Sequence, residues 1–178
     1  MITFDQARSI MPLGVTRLSE FLLPLNSAMV EFDIKTPLQQ AAFLAQIAHE
    51  SGELRYTREL ASGEAYEGRA SLGNTEPGDG KRFKGRGLIQ ITGRANYKAC
   101  SNALYGDELT LIKYPELLEK PKDACRSACW FWKSRGLNAP ADAGDFEKIT
   151  RRINGGLNGY DDRLKYYARA KKALGVAA

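Results

Sequence analysis

Two carboxylates nine residues apart, Glu50 and Glu59, are the first side chains in this sequence whose types suit shared chemistry. Glu50 follows His49 at the end of a run of apolar residues at helical spacing (Leu38, Ala41, Ala42, Ala45, Ala48) and just before Ser51-Gly52. A carboxyl group where a buried helix meets a polar loop is partly desolvated, and the negative end of the helix dipole lies beside it. Both effects favour the protonated form, which is what a general acid for glycoside cleavage needs. Position alone serves equally well for a surface Glu at a helix end. His49 reads first as a hydrogen-bonded structural histidine. A second carboxylate opposite the first completes a glycosidase pair, and in an inverting enzyme it activates water from about 6.5–9.5 Å away. Glu59, in Tyr56-Thr57-Arg58-Glu59-Leu60, can take that place; Glu53, Glu64 and Glu67 rival it on spacing.

A second informative stretch runs from Lys84 to Tyr97. Gly85 and Gly87 allow backbone to approach another chain or a ligand closely. Alternation over Leu88-Ile89-Gln90-Ile91-Thr92 predicts a strand with Gln90 and Thr92 on one face and Ile89 and Ile91 on the other. Two polar side chains opposite a core are placed to bind sugar hydroxyls or hold a water. Asn96 and Tyr97 continue this polar, aromatic character. An ordinary amphipathic edge strand would show the same pattern.

The elements that must position these residues are mostly helical. Thr36-Pro37-Leu38-Gln39 combines a favoured N-cap, a proline in the first turn and a capping-box Gln, so a helix should run from there to Glu50. Helices are also expected over residues 3–10, 16–32, 94–105 and 123–134, then from an Asp145 cap to Ile153, and over 161–174. Residues 51–82 are polar and Gly-rich, with a short helix expected over 64–72; residues 82–92 should form one or two short strands. The sum is an α+β class: a mainly α-helical domain with a small β-hairpin lining a cleft.

At 178 residues the chain fits a single domain, taken here as residues 1–178 without a separate wall-binding module. Lys and Arg number 26 against 21 Asp and Glu, a net charge of +5 that favours anionic partners without choosing among them. Nucleic acid is disfavoured, because no recognisable binding motif accompanies the charge. No apolar run reaches the roughly 18 residues of a membrane span, and Phe21–Leu25 lacks the flanks of a secretory signal. Three cysteines, Cys100, Cys125 and Cys129, argue against a disulfide framework and read as small core residues. With a single His, no metal site is expected. These features suit a monomer made for the cytoplasm. Trp130 and Trp132 flank Phe131 on one helix and so cannot share a face; packing outweighs a sugar platform for them. The last helix, with Arg163, Lys165, Arg169, Lys171 and Lys172, reads as a solvated basic face that could attract anionic envelope components.

Several strings in order resemble glycoside hydrolase family 19. They are Phe43-Leu44-Ala45-Gln46 through His49-Glu50-Ser51-Gly52, then Gly85 to Thr92 followed by Asn96-Tyr97. Ala128-Cys129-Trp130-Phe131-Trp132, Ile153-Asn154-Gly155-Gly156, and Asp162-Arg163 before Tyr166-Tyr167 complete the set. The compact size and short Glu50–Glu59 interval look like the phage endolysin branch. The resemblance implies a lysozyme-like fold, Glu50 as general acid, Glu59 as general base, and Thr92 as the residue that orients the attacking water. His49, Gln90, Asn96, Tyr97, Asn154 and Arg163 would be substrate-binding, with Arg163 also near the carboxylates. It further implies single displacement with inversion, no metal or cofactor, and bacterial peptidoglycan as partner. The enzyme would wait in the host cytoplasm until the membrane is breached, then act on the wall. Chitin hydrolysis, or a non-catalytic glycan-binding module, are the competing expectations.

Overall fold

The computed structural model describes residues 1–176, and among these the chain forms ten α-helices joined by loops and short 3₁₀ turns. In order they are α1 (Phe4–Ile10), α2 (Val15–Glu31), α3 (Pro37–Glu50), α4 (Asp79–Arg82), α5 (Arg94–Tyr105), α6 (Thr110–Lys113), α7 (Pro121–Ser134), α8 (Asn138–Asp142), α9 (Phe146–Asn154) and α10 (Tyr160–Ala173).

Helix α3 is central. Thr36 Oγ1 accepts from Gln39 N at 3.1 Å and Gln39 Oε1 accepts from Thr36 N at 3.2 Å, the reciprocal box expected from the sequence. Every residue from Ala41 to Ala48 is buried. The small side chains of Ala41, Ala42, Ala45 and Ala48 allow close helix approach, and α10 is the helix that packs most extensively on α3. Phe43 meets Trp132 of α7 edge-to-face at 5.4 Å, and Phe146 of α9 stacks on Tyr167 of α10 at 4.2 Å. The cysteines are buried thiols within this core, and burial pushes Cys100 up to about 12.

The expected β-hairpin is not formed. Among the described residues there are only two isolated bridges, Arg58 with Arg86 and Arg86 with Ile91. Arg86 and Ile91 exchange backbone hydrogen bonds (3.2 and 2.8 Å) and close a turn over residues 87–90, with Gly87 at φ 95°. Leu88, Ile89 and Ile91 are all buried, so apolar residues fill the core on both sides of the turn and the alternation of a half-exposed strand does not apply. The helix expected over 64–72 is instead two 3₁₀ turns, Glu64–Tyr66 and Ala70–Leu72, separated by Gly68 at φ 66°. The fold is helical, with an irregular loop layer across residues 51–93 in place of a sheet.

Candidate active site

Glu50 is the last residue of α3, a quarter exposed, and one carboxylate oxygen is held from below. Arg163 Nη2 donates to Glu50 Oε1 at 2.6 Å, while Arg163 Nη1 donates to the Gln46 amide oxygen one turn earlier. The Gln46 amide continues the network: its Nε2 donates to Thr150 Oγ1 of α9 at 2.9 Å. Arg163 is therefore buried in a polar chain beneath the acid (side chain 2% exposed), where a substrate cannot reach it. The expected substrate contact of Arg163 is not offered by an exposed side chain; its guanidinium lies against Glu50 and Gln46 instead. His49 is likewise turned away. Its Nδ1 lies 2.7 Å from Asp162 Oδ2, and its ring fills the space a side chain at Gly159 would need. It fastens the end of α3 to the start of α10, which is the structural reading.

The backbone after Glu50 is strained. Gly52, Glu53 and Leu54 all take left-handed φ (56°, 57° and 68°), costly for the two non-glycine residues. The Glu53 carboxylate holds this bend. Its Oε2 accepts from the amides of Leu13 and Gly14, and its Oε1 accepts from Tyr166 Oη at 2.8 Å. Burial, with the Glu53 hydrogen bond second, raises the Tyr166 hydroxyl well above its ordinary value and keeps it a donor.

Glu59 stands on the loop layer. Its amide donates to Gly85 O at 3.0 Å, and Tyr66 Oη donates to Glu59 Oε2 at 3.0 Å. Burial and the Glu59 hydrogen bond raise the Tyr66 hydroxyl, so it too stays protonated. The other carboxylate oxygen, Glu59 Oε1, is buried with no hydrogen-bond partner among the described residues. A methyl group on Gly85 would lie 2.5 Å from Gln90 Oε1 and 2.8 Å from Glu59 Oε2, so glycine alone lets those two side chains meet across the backbone. The rivals are otherwise engaged. Glu53 is consumed by the bend, Glu64 pairs with Lys81 at 2.8 Å, and Glu67 accepts from the Gly78 and Gly80 amides at 2.6 and 2.7 Å.

Beyond Gln90 a cavity of about 300 Å³ opens, lined by Gln90, Thr92 and Asn96 together with Trp130, Phe131 and Arg135. The sequence placed Gln90 and Thr92 on one face; they do share this cavity, through a turn instead of a strand. Asn96 Nδ2 donates to Thr92 O at 2.7 Å. Asn154, at the end of α9, has a buried Nδ2 with no partner. Trp132 is core, as packing favoured, but Trp130 and Phe131 are only half-buried and face the cavity.

Tyr97 requires a correction. It is fully buried and cannot touch a glycan; its hydroxyl donates to Lys84 O at 2.7 Å and accepts from Arg86 Nη1 at 3.0 Å. Arg86 also binds Arg82 O and, through Nε, Glu119 Oε1 at 2.7 Å. This cluster fixes the Lys84–Arg86 backbone on which Glu59 and Gln90 rest. Tyr66, Arg86 and Glu119 are not among the residues singled out from the sequence, and Glu53 stands there only as a rival base. Only Arg86, between two glycines of the motif, carried a local signal.

Carboxylates at Glu50 and Glu59, polar side chains around a cavity and orphaned polar atoms suit a glycosidase, and residues 33–146 match the family described as chitinase class I, glycoside hydrolase family 19. The chain belongs to that family. A Haemophilus influenzae protein described as containing a glycosyl hydrolase family 19 domain is 36% identical over 161 residues, covering 73% of this chain and 77% of that one. An Arabidopsis thaliana endochitinase is 39% identical over 144 residues, covering 76% and 48%; the chain spans about half the length of the plant endochitinases it matches. Among solved structures, chitinase C from Streptomyces griseus superposes with a TM-score of 0.76 at 25% identity, over 99% of this chain and 77% of its own. A bacterial family 19 chitinase gives 0.74 at 27% identity, over 99% and 96%. As a family 19 member the protein is a glycoside hydrolase.

Proposed function

We propose that this glycoside hydrolase is a phage endolysin that cleaves β-1,4 bonds of bacterial peptidoglycan with inversion. The observation that carries the two-carboxylate mechanism is Glu59 Oε1, buried and unpartnered beside Gln90 while every rival carboxylate is engaged. Water attacks the anomeric carbon and gives its proton to Glu59 as the glycosidic bond breaks. Glu50 gives its proton to the departing oxygen through Oε2, since Oε1 is held by Arg163. The charge left on Glu50 is then stabilised by that guanidinium, a contact that strengthens as the transition state is approached. Thr92 orients the water, and Gln90, Asn96 and Asn154 bind sugar hydroxyl and acetamido groups. The protein supplies one partner in each proton transfer, Glu59 as acceptor and Glu50 as donor.

Positive charge favours the anionic wall as substrate, with Lys165, Arg169 and Lys172 exposed along α10 as a surface for its anionic polymers. Action as a monomer, storage in the host cytoplasm and release to the wall on membrane breach complete this reading. The endochitinase names of several relatives favour chitin as a second reading. One experiment separates them. Purified protein and Glu50→Gln are incubated with sacculi and with chitin oligomers, and new reducing ends are identified by mass spectrometry. Wild type should release ends from sacculi faster than from chitin, and Glu50→Gln should lose at least about 10²-fold in rate. Turnover of chitin alone would replace the peptidoglycan reading, and full activity of Glu50→Gln would remove Glu50 as the acid.

A further inference from the structure

The cavity that collects Gln90, Thr92 and Asn96 also contains a cation that the chemistry of bond cleavage does not use. Arg135 follows the end of α7, and its guanidinium carbon lies 5.2 Å from the centre of the Phe131 ring, a stacking contact that aims it at the cavity. Other cations of α7 and α9 are neutralised: Lys133 pairs with Asp33 at 2.9 Å, Arg126 with Glu31 at 2.7 Å, and Arg151 with Glu147 at 2.9 Å. Arg135 pairs with no carboxylate among the described residues. Arg152 Nη1 donates to the Arg135 backbone carbonyl at 3.2 Å, which ties the chain just after α7 to α9.

An unpaired guanidinium next to side chains suited to neutral sugar groups calls for a ligand that carries both an anionic group and sugar hydroxyls. Chitin has no ionised group. Each N-acetylmuramic acid of peptidoglycan bears a lactyl carboxyl, either free or extended into a peptide with carboxylates of its own. Arg matches a carboxylate with paired donors, and such charge-assisted bonds are the strong ones. We propose that Arg135, its backbone held by Arg152, binds substrate carboxylates and sets a preference for peptidoglycan strands over chitin. This rests on the glycosidase reading above and names the residue that would select the substrate within it.

The test is titration in the Glu50→Gln background, so that ligand is not consumed. Three probes are used: a tetrasaccharide peptidoglycan fragment with its peptide stems, the same fragment with carboxylates converted to methyl amides, and chitotetraose. Arg135→Ala should weaken the first about tenfold and leave the other two within about twofold, while Arg135→Lys keeps most of the affinity. Arg135 is exposed, and an unchanged melting temperature confirms that the variants fold. Equal losses on all three probes, or no loss on the first, would overturn the inference. Failure of the wild-type protein to cleave sacculi would instead overturn the peptidoglycan reading, and the titration still decides whether Arg135 reads carboxylates.

Discussion

Four acidic residues close to Glu50 in sequence have different fates, and what each oxygen touches decides its role. Glu53 accepts from two amides and a tyrosine, whereas Glu59 has one oxygen tied to Tyr66 and the other buried without a partner. Opposite consequences follow for the same substitution. Glu53→Gln keeps the size but replaces a charged acceptor by an amide facing three donors, so the left-handed bend after α3 should loosen. The expected loss is about 1–3 kcal/mol of stability, read by urea unfolding. Glu59→Gln removes a charge that lacks a full set of partners, so stability should change by less than about 0.5 kcal/mol while turnover falls about 10²–10⁴-fold. A Glu59→Gln protein with wild-type turnover would move the base elsewhere; a Glu53→Gln protein as stable as wild type would remove its structural role.

Among the elements, the loop layer over residues 51–93 depends on ion pairs more than on a sheet. Asp79, buried at the start of α4, receives Arg94 Nε and Nη2 at 2.8 and 2.6 Å, and these bonds hold its carboxyl below the ordinary carboxylate range. A carboxyl lowered in the folded protein adds stability above its unfolded value, near pH 4, and that contribution disappears as pH falls through the lower folded value. Melting temperature should therefore drop on acidification below about pH 4, and drop less steeply in Asp79→Asn, whose stability at pH 7 is already reduced. Parallel curves for the two proteins would remove Asp79 from the acid response. The contrast with α3 explains what could be read in advance. The Thr36–Gln39 box is local, decided by residues within one turn, and the sequence carries it. The loop layer is decided by partners far along the chain, such as Arg86 with Glu119 and Glu59 with Gly85. Alternation over residues 88–92 therefore suggested a strand where long-range burial made a turn. Tyr97 and Arg163 are expected at the site from the family resemblance, but their burial depends on tertiary contacts that spacing does not encode.

For the whole molecule, the net charge of +5 acts at a distance that no single contact spans. Lys165, Arg169 and Lys172 recur at four and three residues along the exposed side of α10, so part of the excess is gathered on one helix face. Attraction of exposed charges is screened over about 10 Å at 0.1 M salt and about 3 Å at 1 M. If the polyanionic wall is the substrate, raising salt from about 0.05 to 0.5 M should slow initial hydrolysis of sacculi severalfold, mainly through weaker capture. A neutral chitin oligomer has no such attraction to lose, and its rate should stay within about twofold. Replacing Lys165, Arg169 and Lys172 together by Gln should flatten the salt response on sacculi while leaving turnover of soluble glycan fragments unchanged. An equal salt response on both substrates would point to a general effect of salt on the enzyme, and the basic face of α10 would then have no part in finding the wall.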